Sequence, residues 1–204
     1  MKPDSFLLKF TCILFFLGLL CAAGMIPFYF ESPSMYYKTG IDKLLLRTGK
    51  IFGIITVQLM LLQPIFIGRF SWLDTIFTMK KLFLFHRING MILLGAAVIH
   101  PILILGADHF VFFPFESKYW PEITGVFLLL LLILFIVISI LQKKIGIKYK
   151  TWKITHKTLA PFLFLIMFTH VFNVSRSFES GLPWYLLLAA GVMTISMFIR
   201  KSFH

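Results

Sequence analysis

Four of the six histidines fall at matched spacings. His86 and His100 are 14 residues apart, and so are His156 and His170. On an α-helix, 14 residues rise about 21 Å and turn four times less about 40°, so each pair lies on one helix face at two depths. Imidazole binds metals and carries protons. In an apolar segment such a group is costly and marks a functional site. The remaining two, His109 and His204, fall in a loop and at the last position.

Long apolar elements must carry these side chains. The chain has 204 residues, 59% hydrophobic and 14% charged. A soluble domain of this size cannot hide that much apolar surface. A membrane-crossing helix needs about 20 mostly apolar residues. Six stretches qualify: 10–30, 51–68, 88–107, 123–142, 158–175 and 182–199. None has the alternation of an outer-membrane barrel strand. The expected fold is all-α, an integral membrane six-helix bundle forming a single domain over 1–204, with the paired histidines on its third and fifth helices.

The net charge of +12 raises the question of nucleic acid, but its distribution points to membrane orientation. With an inside start, Lys38, Lys43, Arg47, Lys50, Lys118 and Arg176 fall on the outer side, and the other 14 of the 20 Lys and Arg fall inside. That asymmetry follows the positive-inside rule and puts both termini in the cytoplasm. No nucleic-acid partner is expected, only membrane lipid. Trp72, Trp120, Trp152 and Trp184 all fall at span ends or in loops, where amphipathic rings settle. Cys12 and Cys21 are too far apart on one helix for a local disulfide and read as packing residues. The first span also has a lysine-bearing start and a small Cys21-Ala22-Ala23-Gly24 run, as a signal peptide would. Its apolar stretch is longer than a usual signal core, which favours a retained helix.

With both histidine-bearing spans running from inside to outside, His86 and His156 share the inner depth and His100 and His170 the outer. Four imidazoles in two layers about 21 Å apart cannot close round one ion, whose ligands lie about 2 Å away. Two histidines facing each other between helices can clamp a flat haem from both sides, and helix bundles build cofactor sites in this way. Two layers imply two b-type haems between the third and fifth helices. Bis-histidine ligation fills both axial positions and favours electron transfer. Two other readings of the same residues are a haem-free proton relay or transporter and a scaffold or assembly protein.

Arg87 and Lys157 each follow an inner histidine and could pair with haem propionates. They serve equally as positive-inside anchors. Lys118 and Arg176 are weaker candidates on the outer side. Gly90 and Gly95 would admit a flat macrocycle or a neighbouring helix. Pro101 either aims His100 or marks the end of its helix. Phe162, Phe164 and Phe168 read as lipid-facing or core residues. Gln58 and Gln63 read as helix–helix hydrogen bonders, or as the lining of a quinone or flavin pocket.

The segments Phe85-His86-Arg87-Ile88-Asn89-Gly90 with Val98-Ile99-His100-Pro101, and Trp152-Lys153-Ile154-Thr155-His156 with Phe168-Thr169-His170-Val171, resemble the third and fifth helices of the ferric reductase-like transmembrane domain. Thr48-Gly49-Lys50-Ile51-Phe52-Gly53 resembles the start of its second. The resemblance covers roughly residues 45 to 200. That superfamily includes NADPH oxidases, ferric-chelate reductases and the membrane subunit of the bacterial methionine sulfoxide reductase system. The resemblance implies haem ligation by His86 with His156 and by His100 with His170, and electron flow from cytoplasm to outside. It makes an oxidoreductase subunit in the bacterial inner membrane the expectation. No G-x-G-x-x-G nicotinamide-binding unit occurs in the sequence. The expected donor is therefore a cytoplasmic flavoprotein reductase or quinol, and the acceptor an extracytoplasmic protein, ferric chelate or oxygen.

Overall fold

The computed structural model describes residues 5–111 and 116–202, and these are helical almost throughout. Lys2, one of the basic residues counted inside, and His204, at the last position, lie outside the described residues. The α-helices are α1 (Ser5–Gly24), α2 (Ile26–Tyr29), α3 (Gly40–Ile67), α4 (Ser71–Ile76), α5 (Met79–Gly106), α6 (Trp120–Leu141), α7 (Tyr149–Val174) and α8 (Gly181–Ser202). Among the described residues, six helical segments are long and apolar enough to cross a membrane, α1 and α2 together making the first.

Three of these helices begin well before the apolar stretch that announces them. α3 starts at Gly40 rather than 51, α5 at Met79 rather than 88, and α7 at Tyr149 rather than 158. The added turns carry Asp42, Lys43 and Arg47 in α3, Lys80 and Lys81 in α5, and Lys150 and Lys153 in α7. Such residues extend a helix into the headgroup region without adding apolar length. The extension brings His86 and His156 inside regular helix. The first span is broken at Met25, and α2 restarts with Pro27 in its first turn, where a missing N–H costs nothing. Pro101 does not end α5, which continues to Gly106.

α3 packs most extensively against α5, and α6 against α7. Both pairs are antiparallel, as their cross-helix contacts show. His100 meets Gly49, Asn89 meets Leu59, and Gln63 lies at His86. On the other side His170 meets Pro121 and His156 meets Ser139. At Gly49 the helices approach so closely that a Cβ would lie 2.9 Å from Ile104 Cδ1. Small residues permit such contact in membrane bundles.

The main buried cluster comprises Leu59 and Met60 of α3, Leu93 and Ala97 of α5, Leu132 of α6, and Leu163, Phe164 and Met167 of α7. Every one of these lies between the two histidine levels of its helix pair. Large apolar side chains such as Phe6, Phe15 and Leu130 point outward, each more than half exposed. Hydrocarbon is the solvent such a surface fits. Phe162 belongs to this outer face, while Phe164 packs in the core against Phe198. Cys12 packs beside the cluster of Leu73, Phe77 and Leu82, and Cys21 is exposed.

Candidate functional site

α5 and α7 carry the four histidines, all half-buried. The rings of His86 and His156 come together with centroids 6.2 Å apart and planes at 69°. A metal–nitrogen bond of about 2 Å on each side, added to the two ring radii, gives a separation of about 6 Å. His100 and His170 lie close enough for their imidazoles to interact electrostatically. The structure thus brings the histidines together as two cross-helix pairs. Among the described residues no three His, Cys, Asp or Glu side chains form a metal-binding group.

The outer faces of these rings are held by α3 and α6. His100 Nδ1 donates to the Gly49 carbonyl at 2.8 Å, and His170 Nδ1 donates to the Pro121 carbonyl at 2.9 Å. A carbonyl oxygen can only accept, so each Nδ1 carries the hydrogen and the lone pair of the neutral ring resides on Nε2. Four residues after each carbonyl stands a glycine. A Cβ on Gly53 would lie 2.9 Å from the His100 ring, and one on Gly125 would collide with His170. Each seat therefore consists of a helical carbonyl and, one turn on, the missing side chain that lets the imidazole reach it.

His156 Nδ1 lies 3.1 Å from Ser139 Oγ. Ser139 has one hydrogen, and it donates this to the Phe135 carbonyl at 2.7 Å. Its oxygen is left to accept from His156 Nδ1–H and, at 3.3 Å, from Trp152 Nε1–H. His156 thereby also carries its lone pair on Nε2. The ring stacks on Phe135 at 4.3 Å and lies 5.2 Å from Trp152. An apolar cavity of about 280 Å³ between α6 and α7 opens beside it, lined by Phe135, Ser139, Trp152 and Leu163 among others.

His86 faces the side chain of Gln63 on α3, which also reaches Asn89 and Gly90. Asn89, buried, donates to the Leu59 carbonyl at 2.8 Å and ties α5 to α3. Arg87 and Lys157 are exposed, each next in sequence to a histidine of one level. Gly90 lies beside Gln63, whereas Gly95 faces open space and admits no neighbouring helix. Gln58 has a buried Oε1 with no hydrogen-bond partner among the described residues.

Sequence reasoning did not find Gly49, Pro121, Gly125 or Ser139 as partners of the histidines. The signal that could have found the glycines is their placement on apolar helices 14 residues before a polar side chain. Gly49 precedes Gln63 by that interval, and Gly125 precedes Ser139 by the same one. It is the histidine interval repeated on the antiparallel helices.

The family model of the ferric reductase-like transmembrane component matches residues 52–167, which span α3 to most of α7. That is more than half of the chain, and the protein belongs to this family. With its six apolar helices it is an integral, multi-pass membrane protein, and the membership suggests a role in membrane electron transfer. Searches of curated proteins and of solved structures gave no match.

Proposed function

We propose that this chain is a di-haem b electron-transfer subunit of a membrane oxidoreductase. His86 and His156 hold the haem at the inner level, and His100 and His170 the one at the outer level. The observation that carries this reading is the pairing of His86 with His156, ring centroids 6.2 Å apart across α5 and α7, together with the Nδ1 bonds by which α3 and α6 hold His100, His170 and His156 from behind. Ligating histidines are oriented in this way by hydrogen bonds to their second nitrogen. Bound there, the two haems would supply one-electron carriers at two depths.

The chain's own residues do the rest. The seats at Gly49–Gly53 and Pro121–Gly125 present Nε2 of the outer histidines and fix their rotation. Ser139 does the same for His156. Arg87 and Lys157 offer cations for the carboxylates of the group at the inner level. The apolar layer of Leu93, Ala97, Leu163, Phe164 and Met167 between the levels keeps water out. That favours electron transfer over a haem-free proton relay or transporter, which needs a continuous chain of polar groups.

The basic excess on the His86 and His156 side supports an orientation with both termini in the cytoplasm, and the membrane of this proposal is a bacterial inner membrane. Electrons then enter from a cytoplasmic flavoprotein or from quinol and leave to an extracytoplasmic protein, ferric chelate or oxygen. The test is a dithionite-reduced minus oxidised spectrum of protein purified from haem-replete cells. A b-type α-band with a Soret shift is expected. Its absence from folded protein overturns the proposal.

A further inference from the structure

One histidine of the four has a different kind of partner. The Nδ1 of His100 and of His170 faces a backbone carbonyl, and that of His156 faces a hydroxyl whose only hydrogen is already given to Phe135. Each of these partners is a fixed acceptor. His86 faces the primary amide of Gln63, which holds a donor and an acceptor on one rotatable group.

The amide satisfies its surroundings with its nitrogen toward His86. In that orientation it donates to His86 Nδ1, while Oε1 accepts from Asn89 Nδ2 and from the Gly90 N–H, both at 3.0 Å. An Nδ1 that accepts leaves the imidazole hydrogen on Nε2, the reverse of the other three rings. Turned over, Gln63 presents Oε1 to Nδ1–H, and the lone pair moves to Nε2, the ring nitrogen that ligation at this level requires. Turnover sets the Gln63 amide nitrogen against two donors, Asn89 Nδ2 and the Gly90 N–H, and Oε1 near the His86 carbonyl, a cost that ligation at Nε2 has to offset, while Asn89 keeps its bond to the Leu59 carbonyl.

We propose that Gln63 is a positioning residue for the inner haem. Its amide turns over when the site is filled, and the Nδ1–H···Oε1 bond it then makes sets the potential of that haem alone. This rests on the di-haem reading above. Accepting from Nδ1–H makes the ring a stronger electron donor, which favours the oxidised metal. At the outer level the Nδ1 partners are backbone carbonyls, which no substitution exchanges.

The test is optical redox titration of the purified holoprotein, with the two waves assigned by His100→Ala, which removes the outer one. Gln63→Leu is expected to keep both haems and move the inner wave to a more positive potential, with the outer wave unmoved. Gln63→Glu, a stronger acceptor, is expected to move the inner wave the opposite way. Phe162→Leu, on the exposed outer face of α7, is expected to move neither. If both Gln63 variants keep two haems at native potentials, or if both waves move equally, the proposal is overturned. Should Gln63→Leu lose the inner haem, Gln63→Glu decides. Retention with a more negative wave supports the assignment, and loss overturns it. A native protein that binds no haem fails before any substitution is made, and then the functional reading is what falls.

Discussion

An imidazole placed in hydrocarbon needs both ring nitrogens accounted for, since an unsatisfied polar group there is costly. At the outer level Nδ1 is answered by Gly49 and Pro121, and the close approach depends on Gly53 and Gly125. Gly125→Ala is therefore expected to push the His170 ring off its carbonyl. The cost is about 1–3 kcal/mol by overpacking, with selective loss of outer-level haem measured by absorbance per chain. Gly95→Ala, which meets nothing within 4 Å, is expected to keep both haems and to stabilise α5 by about 0.5–1 kcal/mol. Equal haem content in the two variants would contradict the seat. The histidines themselves were legible as sequence because their 14-residue spacing is written in side chains. Their carbonyl partners were not, since every residue has a carbonyl and the cross-helix register that selects Gly49 and Pro121 comes only with packing.

At the scale of the helices, hydropathy located all six spans but began three of them late: α3 by 11 residues (51 against 40), and α5 and α7 by 9 each (88 against 79, 158 against 149). A window tuned to hydrocarbon ignores amphipathic turns bearing Lys80, Lys153 or Asp42, although these continue the same helix. Pro101 was ambiguous for a related reason. A proline can bend a helix or end it, and the flanking turns decide. The pairing of α5 with α3 is held by small-residue contact at Gly49 and by the buried Asn89–Leu59 hydrogen bond. Asn89→Leu is expected to lower stability by about 1 kcal/mol, in the range of interhelical hydrogen bonds in membranes. Thermal unfolding in detergent, followed with a thiol-independent probe, checks this. An unchanged midpoint would remove that bond from the account.

For the whole molecule, parallel α5 and α7, each backed by an antiparallel helix, turn two 14-residue intervals into two levels separated by an apolar core. Six crossings would return the C-terminus to the side of the N-terminus, and the proposed topology takes that side as cytoplasmic from the 14-to-6 distribution of basic residues. A C-terminal green fluorescent protein fusion should fluoresce, while an alkaline phosphatase fusion at the same place should be inactive. The reverse pattern would invert the proposed electron flow. The most direct measurement is haem stoichiometry by pyridine haemochrome assay on the native chain beside His100→Ala and His86→Ala. Two b haems per native chain and one in each variant, with different remaining potentials, are expected. A single haem in the native chain, or loss of both from folded protein in each variant, would contradict the two-level site.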